Sequence, residues 1–543
     1  MVFARRSTTL LAAIIASCAM VLSLTACTSD NKTVVDGQTT VTSNSAGGVA
    51  VFTPSDGITL NQQVPLNKWA KLVPDLTKAL VDAGFKKGDI NHTTSDSLAK
   101  QSRAIQDFVV DHLSNNTTDD SGIAIAPDNM TLLVAPVVEA DASTRQYGDY
   151  VSQNLSTNDV TDEGATSDGE SSEDDSSKDD SSNTESDSTA SDEQAQAVDR
   201  LVSSLKLAKE SGMHVVLLGN SIEGYKPDAF VKFSDAQTIG KLQAEKMVSK
   251  LKLDKASKDN PKYIEVLLPY TAVDEKGNAN DSTFAQEAFR GIWQVLGSYY
   301  QKGVVESPSG TLDGKSTEND WQAVAYDAAK EGSTAKVLDK RLAKTDGQST
   351  LTRIDGIITM NDYIASEVVK ELDDLGYTGS AADINPQITI SGIVGNITGK
   401  KDLSRDAVPD PIKSPENDNA NDSSSSDDDA DEDTSASDRD RDSQWPLVTG
   451  YGAYVSNIPS IVNGKQWMTG MEDRQTIATD IAQACAKLNK DEALNSMPSI
   501  RNSEVGGVKK IPTISEPLLA VSASNLKSAL IDPGYISLAD AGL

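Results

Sequence analysis

Residues 354–376 read IDGIITMNDYIASEVVKELDDLG. The first part, Ile354 to Asp362, is a continuous β-branched run rather than an alternating one, as a parallel strand covered on both faces should be. The second part, Tyr363 to Gly376, carries apolar residues at helical spacing and stops at a glycine. A doubly covered strand that runs straight into an amphipathic helix is half of a βαβ unit.

The same unit recurs on both sides. GVAVFTP (48–54) predicts a strand and KWAKLVPDLTKALVDAG (68–84) a helix. SLAKQSRAIQDFVVDHL (97–113) is a helix, MTLLVAPVV (130–138) a strand, AVDRLVSSLKLAKESG (197–212) a helix and HVVLLGN (214–220) a strand. AQTIGKLQAEKMVSKL (236–251) is a helix capped by Asp235, KYIEVLLPY (262–270) a strand and STFAQEAFRGIWQVLGSYYQKG (282–303) a helix. Alternation over some 400 residues predicts doubly wound parallel sheets, and a chain that long should divide into more than one.

The chain has 543 residues and a formal net charge of -32. Two runs hold -24 of it: 159–193 (14 acids, one Lys) and 406–442 (14 acids, three bases). Neither has an apolar period, and Ser/Asp repeats cannot bury enough surface to offset the entropy of ordering them, so both read as disordered insertions. A solvated, self-repelling spacer is the plain reading and a weak cation sink the sharper one. No calcium-loop pattern is present, so a structured metal site is not expected. Such an acidic chain offers no basic surface for nucleic acid.

At the N-terminus, Arg5-Arg6 precede an apolar stretch, Leu10 to Leu24, shorter than an ordinary spanning helix. It ends in Leu24-Thr25-Ala26-Cys27, a lipoprotein signal peptide whose Cys27 thiol accepts the lipid. Cys18 would leave with the signal, which isolates Cys485 in a helical pattern as a small buried hydrophobe. Residues 27–47 form a polar tether. The expected location is the extracytoplasmic face of the cell membrane, held by a lipid anchor only.

Catalytic signals are poor. HExxH, CxxC and GxSxG are absent from the sequence, and His214 opens a buried strand. Gly310–Ser316 (GTLDGKS) is one residue short of a phosphate loop, and Gly450-Tyr451-Gly452 lacks the third glycine of a dinucleotide fingerprint. Neither an enzyme nor a cofactor is expected.

Several pieces, in order, resemble the xylose-binding and multiple-sugar-binding solute-binding lipoproteins of ABC importers, which have the type I periplasmic-binding fold. They are Lys68-Trp69-x-Lys71, Gln101-x-x-x-Ile105, LLVAPVV (132–138), FSDAQTIGKLQAEKMV (233–248) and FRGIWQVLGSYYQKG (289–303). Asp320-Trp321, Asn361-Asp362, VTGYGAYVSNIPSIVNGKQWMT (448–469) and the tail IDPGYISLADAGL (531–543) complete the series.

The resemblance implies an α/β protein of two doubly wound parallel-sheet lobes joined by a three-crossing hinge, plus disordered acidic insertions. Residues 1–26 would be the signal peptide. Lobe 1 would be 48–232 and 472–512, with an insertion at about 155–195. Lobe 2 would be 235–471 and 513–543, with an insertion at about 400–444. The crossings would fall near Lys232–Asp235, Gly470–Glu472 and Ile511–Ser515. It further implies a small-molecule ligand, a sugar, a membrane permease as partner, and a monomer.

On that template Trp321 is the stacking ring, with a core role as its alternative. Asn361 is a hydroxyl-binding amide, or only a helix cap. Lys68 replaces the family's Arg, and Asp362 caps the next helix or touches ligand. Three charged family contacts are missing or inverted, at Gly219-Asn220, at Gly452 (or Val394 in a second alignment) and at Glu472. At roughly 1.5–3 kcal/mol each, their loss should abolish tight binding of an ordinary pentose or hexose unless other groups replace them. Asn220, Tyr451 and Glu472 could form a different, less charged site. The other function class is a diverged, non-transport lipoprotein that uses the fold as a sensor or interaction module. The first acidic run lies between a strand and its helix and the second beside the strand that should carry the ligand Asp, which places them near the cleft mouth or pointing away from it.

Overall fold

The computed structural model describes residues 32–35, 38–41, 46–56, 65–115, 125–138, 145–151, 153–156, 184–273, 280–343, 351–381 and 444–543. Cys27, the second acidic run and Val394 lie outside them. Within the expected tether, Lys32–Val35 pairs antiparallel with Gln38–Val41.

Among the described residues, 46–543 contain two large sheets, built alike, and two small two-stranded ones. Among the described residues the first sheet has seven strands, in the order Ile500–Val505, Val508–Ser515, Ala229–Lys232, His214–Leu218, Met130–Val134, Gly48–Pro54, Ile90–Ser95. Numbered along the chain, its first five strands run 2-1-3-4-5, all parallel. The second sheet runs Val305–Glu306, Lys262–Val266, Gly356–Ile358, Leu447–Tyr451, Met468–Met471, Leu519–Ser522. It repeats the 2-1-3-4-5 order and adds an antiparallel sixth strand. This is the doubly wound topology, in which the reversal of strand order opens a crevice at the strand C-termini.

The continuous β-branched runs are buried on both faces, as expected. Val49 and Val51 pack under helices Trp69–Asp82 and Arg474–Leu488, while Ala50 and Phe52 pack under Leu98–Asn115 and Thr184–Glu210. In the second sheet Ile264, Val266 and Ile358 meet helices Ala236–Leu251 and Thr283–Gln301. Ile357 and Val448 face Ser333–Arg341 and Asp362–Leu375. Cys485 is fully buried in the first core, where burial pushes its thiol pKa far up.

Three crossings join the lobes. The chain leaves the first sheet after Lys232 and enters helix Ala236–Leu251, whose cap is Asp235 as expected, accepting from the Thr238 amide at 2.7 Å. It returns after Met471 into Arg474–Leu488. The third crossing differs from expectation. Thr513, Ile514 and Ser515 pair with Phe230, Val231 and Lys232 in the first sheet, so the crossing falls at 516–518. The strand outlasts the predicted boundary because its register continues to the last residue of its neighbour.

A second difference concerns the first acidic run. The helix expected over 197–212 spans Thr184–Glu210, so the last ten residues of that run, 184–193, are helical. Ala197, Val198, Leu201, Leu205 and Ala208 anchor it in the core. Propagation from a fixed nucleus adds one hydrogen bond per residue, and TESDSTASDEQAQ places acids at the helix start, where the dipole favours them.

Candidate ligand site between the lobes

The two order reversals face the interlobe cleft. In the first lobe this is where Gly48–Pro54 and Met130–Val134 end, and in the second where Lys262–Val266 and Gly356–Ile358 end. The first crevice is shaped by Gln101, fully buried, whose carboxamide donates to Ala135 O at 2.8 Å and accepts from the Val137 amide at 2.9 Å. The second presents Thr359, Asn361 and Asp362, all buried.

Asn361 uses its two amide atoms differently. Oδ1 caps helix Asp362–Leu375 by accepting from the Ile364 amide at 2.9 Å, and Nδ2 donates across the cleft to Gln146 Oε1 at 3.0 Å. Asp362 faces inward. Its carboxylate accepts from Gln466 Nε2 at 2.7 Å, the Tyr454 amide at 2.9 Å and the Thr469 hydroxyl at 2.9 Å. Burial nevertheless pushes its pKa up to about 6.

Lys68 opens helix Trp69–Asp82 and holds Asp149 at 2.8 Å, while the other Asp149 oxygen accepts the Trp69 amide at 3.0 Å. Asp56 completes this cluster. Its carboxyl is partly in water, yet partial desolvation raises its pKa to about 6, and the neighbouring Asp149 adds to the rise. Asn220 is buried and fully engaged inside the first lobe, accepting from the Gln153 amide and donating to Pro136 O.

Tyr451 and Glu472 meet at the hinge. Glu472 Oε1 accepts the Ser234 amide at 2.5 Å, and the Ser234 hydroxyl lies 2.5 Å from Tyr451 Oη. A contact between the first two crossings is thus made through one buried carboxylate. Desolvation pushes Glu472 up to about 7 and holds the Tyr451 phenol far above its usual range. Trp321 stands apart from this group. It is half-buried, edge-on to Tyr270 at 5.1 Å, near the C-terminal end of the second sheet.

What gathers the expected residues is a segment that sequence reading passed over, 145–151 of STRQYGDYV. The Tyr147 ring packs 4.7 Å from Phe284 and 6.3 Å from Tyr451, in the core of the second lobe. The Tyr150 ring stacks on Phe233 at 4.8 Å and meets Trp69 edge-on at 5.1 Å, in the core of the first. Lys68, Asn361 and Tyr451 all touch this segment. The one available signal was the pair of tyrosines, isolated in a polar stretch just before an acidic run.

One departure from the pattern of the resembling family acquires a cause. Gly452 has φ 114°, and a Cβ there would lie 2.9 Å from the Tyr454 ring, so Tyr454 fills the space an acidic side chain would need. The Gly310–Ser316 stretch is no phosphate cradle, because Asp313 Oδ1 already accepts the Lys315 and Ser316 amides. Among the described residues no cluster of His, Cys, Asp and Glu is placed to hold a metal, and no helix is long and apolar enough to cross a membrane.

No known family model matches the chain, and no curated protein matches it. Solved structures do. A solute-binding protein of an ABC transporter from Clostridium phytofermentans, with bound β-D-glucose, is 17% identical over 91% of this chain and 99% of its own, with a TM-score of 0.44. A carbohydrate transporter solute-binding protein from Chloroflexus aurantiacus, in complex with D-glucose, is 18% identical over 92% and 98%, with a TM-score of 0.43. A periplasmic ribose ABC transporter protein from Conexibacter woesei is 13% identical over 90% and 96%, with a TM-score of 0.42. The strand orders and three crossings described above are those of two doubly wound lobes joined by a three-crossing hinge.

Proposed function

We propose that this protein is an extracytoplasmic solute-binding lipoprotein that takes a small polar ligand, a sugar, between its lobes for delivery to an ABC importer. The observation that carries the reading is the pair of order reversals facing one cleft, with Lys68, Asn361 and Tyr451 gathered there. Planar amides suit sugar hydroxyls and aromatic faces suit sugar C–H groups, so Asn361 and the Trp321–Tyr270 pair are the recognition groups of choice. Binding shifts an open–closed equilibrium that a permease reads, and no chemistry is done. Cys27 carries the acyl chains that hold the monomer at the membrane.

A second reading, a sensor or interaction module without transport, is favoured by one observation. Asn220, Asp362 and Glu472 direct their polar atoms to the protein itself. Calorimetry against pentoses, hexoses and oligosaccharides separates the two. Transport requires binding of at least one sugar, weakened at least ~10-fold by Trp321→Ala or Asn361→Ala. No binding to any of the panel leaves the second reading.

A further inference from the structure

We propose that the segment Gln146–Tyr150 is the resident occupant of the interlobe cleft: a strap, fixed to the first lobe, that holds the second lobe closed and that an incoming ligand must displace. The ligand half of this statement rests on the sugar-binding reading; the strap itself does not.

The geometry divides the segment into a fixed end and a detachable end. The fixed end belongs to the first lobe. Asp149 is held by Lys68 Nζ and the Trp69 amide, and its own amide donates to Asn67 O at 2.7 Å. The Tyr150 hydroxyl donates to Lys68 O at 2.5 Å. Beyond it, Asn154–Leu155 pairs with Ser221–Ile222. The detachable end reaches the second lobe through Gln146 and Tyr147. The Gln146 carbonyl accepts from Tyr454 Oη at 2.6 Å, its side chain accepts from Asn361, and Tyr147 packs among Phe284 and Tyr451. Gly148 lies between the two ends at φ 94°, where a Cβ would be 2.5 Å from Asn67 O. Only glycine lets the chain pass that close and turn from one lobe to the other.

The strap therefore occupies the groups that the cleft would turn to a solute. The Gln146 carboxamide takes the Asn361 amide, and the Tyr147 phenol ring, only 1% exposed, lies against Tyr451. Asn67 Nδ2, buried beside the Asp149 anchor, finds no acceptor among the described residues, so the strap does not itself satisfy every donor there. A solute has to pull out one side chain and one ring, and its apparent affinity is its intrinsic affinity scaled by the fraction of chains with the strap released.

The test uses the full mature chain, with Tyr147→Ala and the milder Gln146→Ala. Hydrogen exchange and small-angle scattering report the strap without any ligand. In the parent, amides 146–150 exchange slowly. In either variant they exchange at least ~10-fold faster while strands 130–134 and 356–358 keep their protection, and the radius of gyration rises as the lobes part. D-Glucose, D-ribose and D-xylose are then titrated, and whichever binds does so at least ~10-fold more tightly to Tyr147→Ala than to the parent. If exchange of 146–150 is already unprotected in the parent, or rises equally with both lobe cores in both variants, the strap is refuted. If the strap behaves as described but no sugar binds any form, the strap stands and the transport reading falls.

Discussion

Replacing Glu472 with Gln should flatten part of the pH dependence of stability and stabilise the protein at neutral pH. The carboxyl is 1% exposed, and burial raises its pKa from 4.5 to about 7, with Ser234 and Tyr451 only partly opposing the rise. The folded protein therefore holds this proton up to higher pH than the unfolded chain does. Between pH 4.5 and 7 the folded state binds more protons, so the stability contribution is full at low pH and is lost as pH rises through that window. At ~1.4 kcal/mol per tenfold, the loss is roughly 2–3 kcal/mol between pH 5 and pH 8. Gln keeps an oxygen for the Ser234 amide, now at 2.5 Å from Glu472 Oε1, and never ionises. Urea unfolding followed by tryptophan fluorescence at pH 5, 6, 7 and 8 measures it. Asp362 titrates with the same sign, from 3.8 to about 6, in both proteins and cancels from their difference. The variant and parent should nearly coincide at pH 5 and diverge by roughly 2–3 kcal/mol at pH 8, the variant being more stable. Parallel curves, or a variant that loses more stability than the parent on going to pH 8, would refute the hinge-carboxylate reasoning.

Asp362→Asn should combine two effects. Three donors converge on two carboxylate oxygens and an amide supplies one, so a stranded buried donor costs about 1–3 kcal/mol, while the variant escapes the parent's loss of stability as pH rises from 3.8 through about 6; its urea midpoint relative to the parent should be lowest at about pH 4 and recover by about pH 8. Gly452→Ala should lower stability by about 1–3 kcal/mol, since it combines φ 114° with a contact 2.9 Å from the Tyr454 ring; thermal unfolding checks it. Cys27→Ser should move the protein from the membrane pellet to the soluble fraction and remove the acyl mass from its N-terminal peptide. Trp321→Phe should retain sugar binding that Trp321→Ala loses, by calorimetry, if the ring acts by stacking.

The sequence alone determined the architecture, because its signals are local and repeated. Continuous runs such as LLVAPVV and IDGIITMND can satisfy their backbone and bury both faces only in a covered parallel sheet, and the second runs straight into a helix capped by its own Asn361. Of the first crossing, only the helix start at Asp235 was legible locally; its place between the lobes came from the resemblance, since the strand Ala229–Lys232 before it was not read. The third crossing was placed too early, since where a strand stops depends on its partner, and Ser515 pairs to the last residue of Ala229–Lys232. The helical start at Thr184 was hidden because composition says disorder while the buried face thirteen residues on supplies the nucleus.

The site divides differently. Asn361, Tyr451 and Lys68 were nameable from sequence, because each sits beside a recognisable strand end or helix start. Their partners were not. Gln146 meets Asn361 across 215 residues, Ser234 meets Glu472 across 238, and Thr469 meets Asp362 across 107. No local period encodes such pairs. They exist because two lobes wound in the same order bring distant strand ends to one cleft, and only the folded chain decides that the polar groups gathered there are answered by its own strap and hinge.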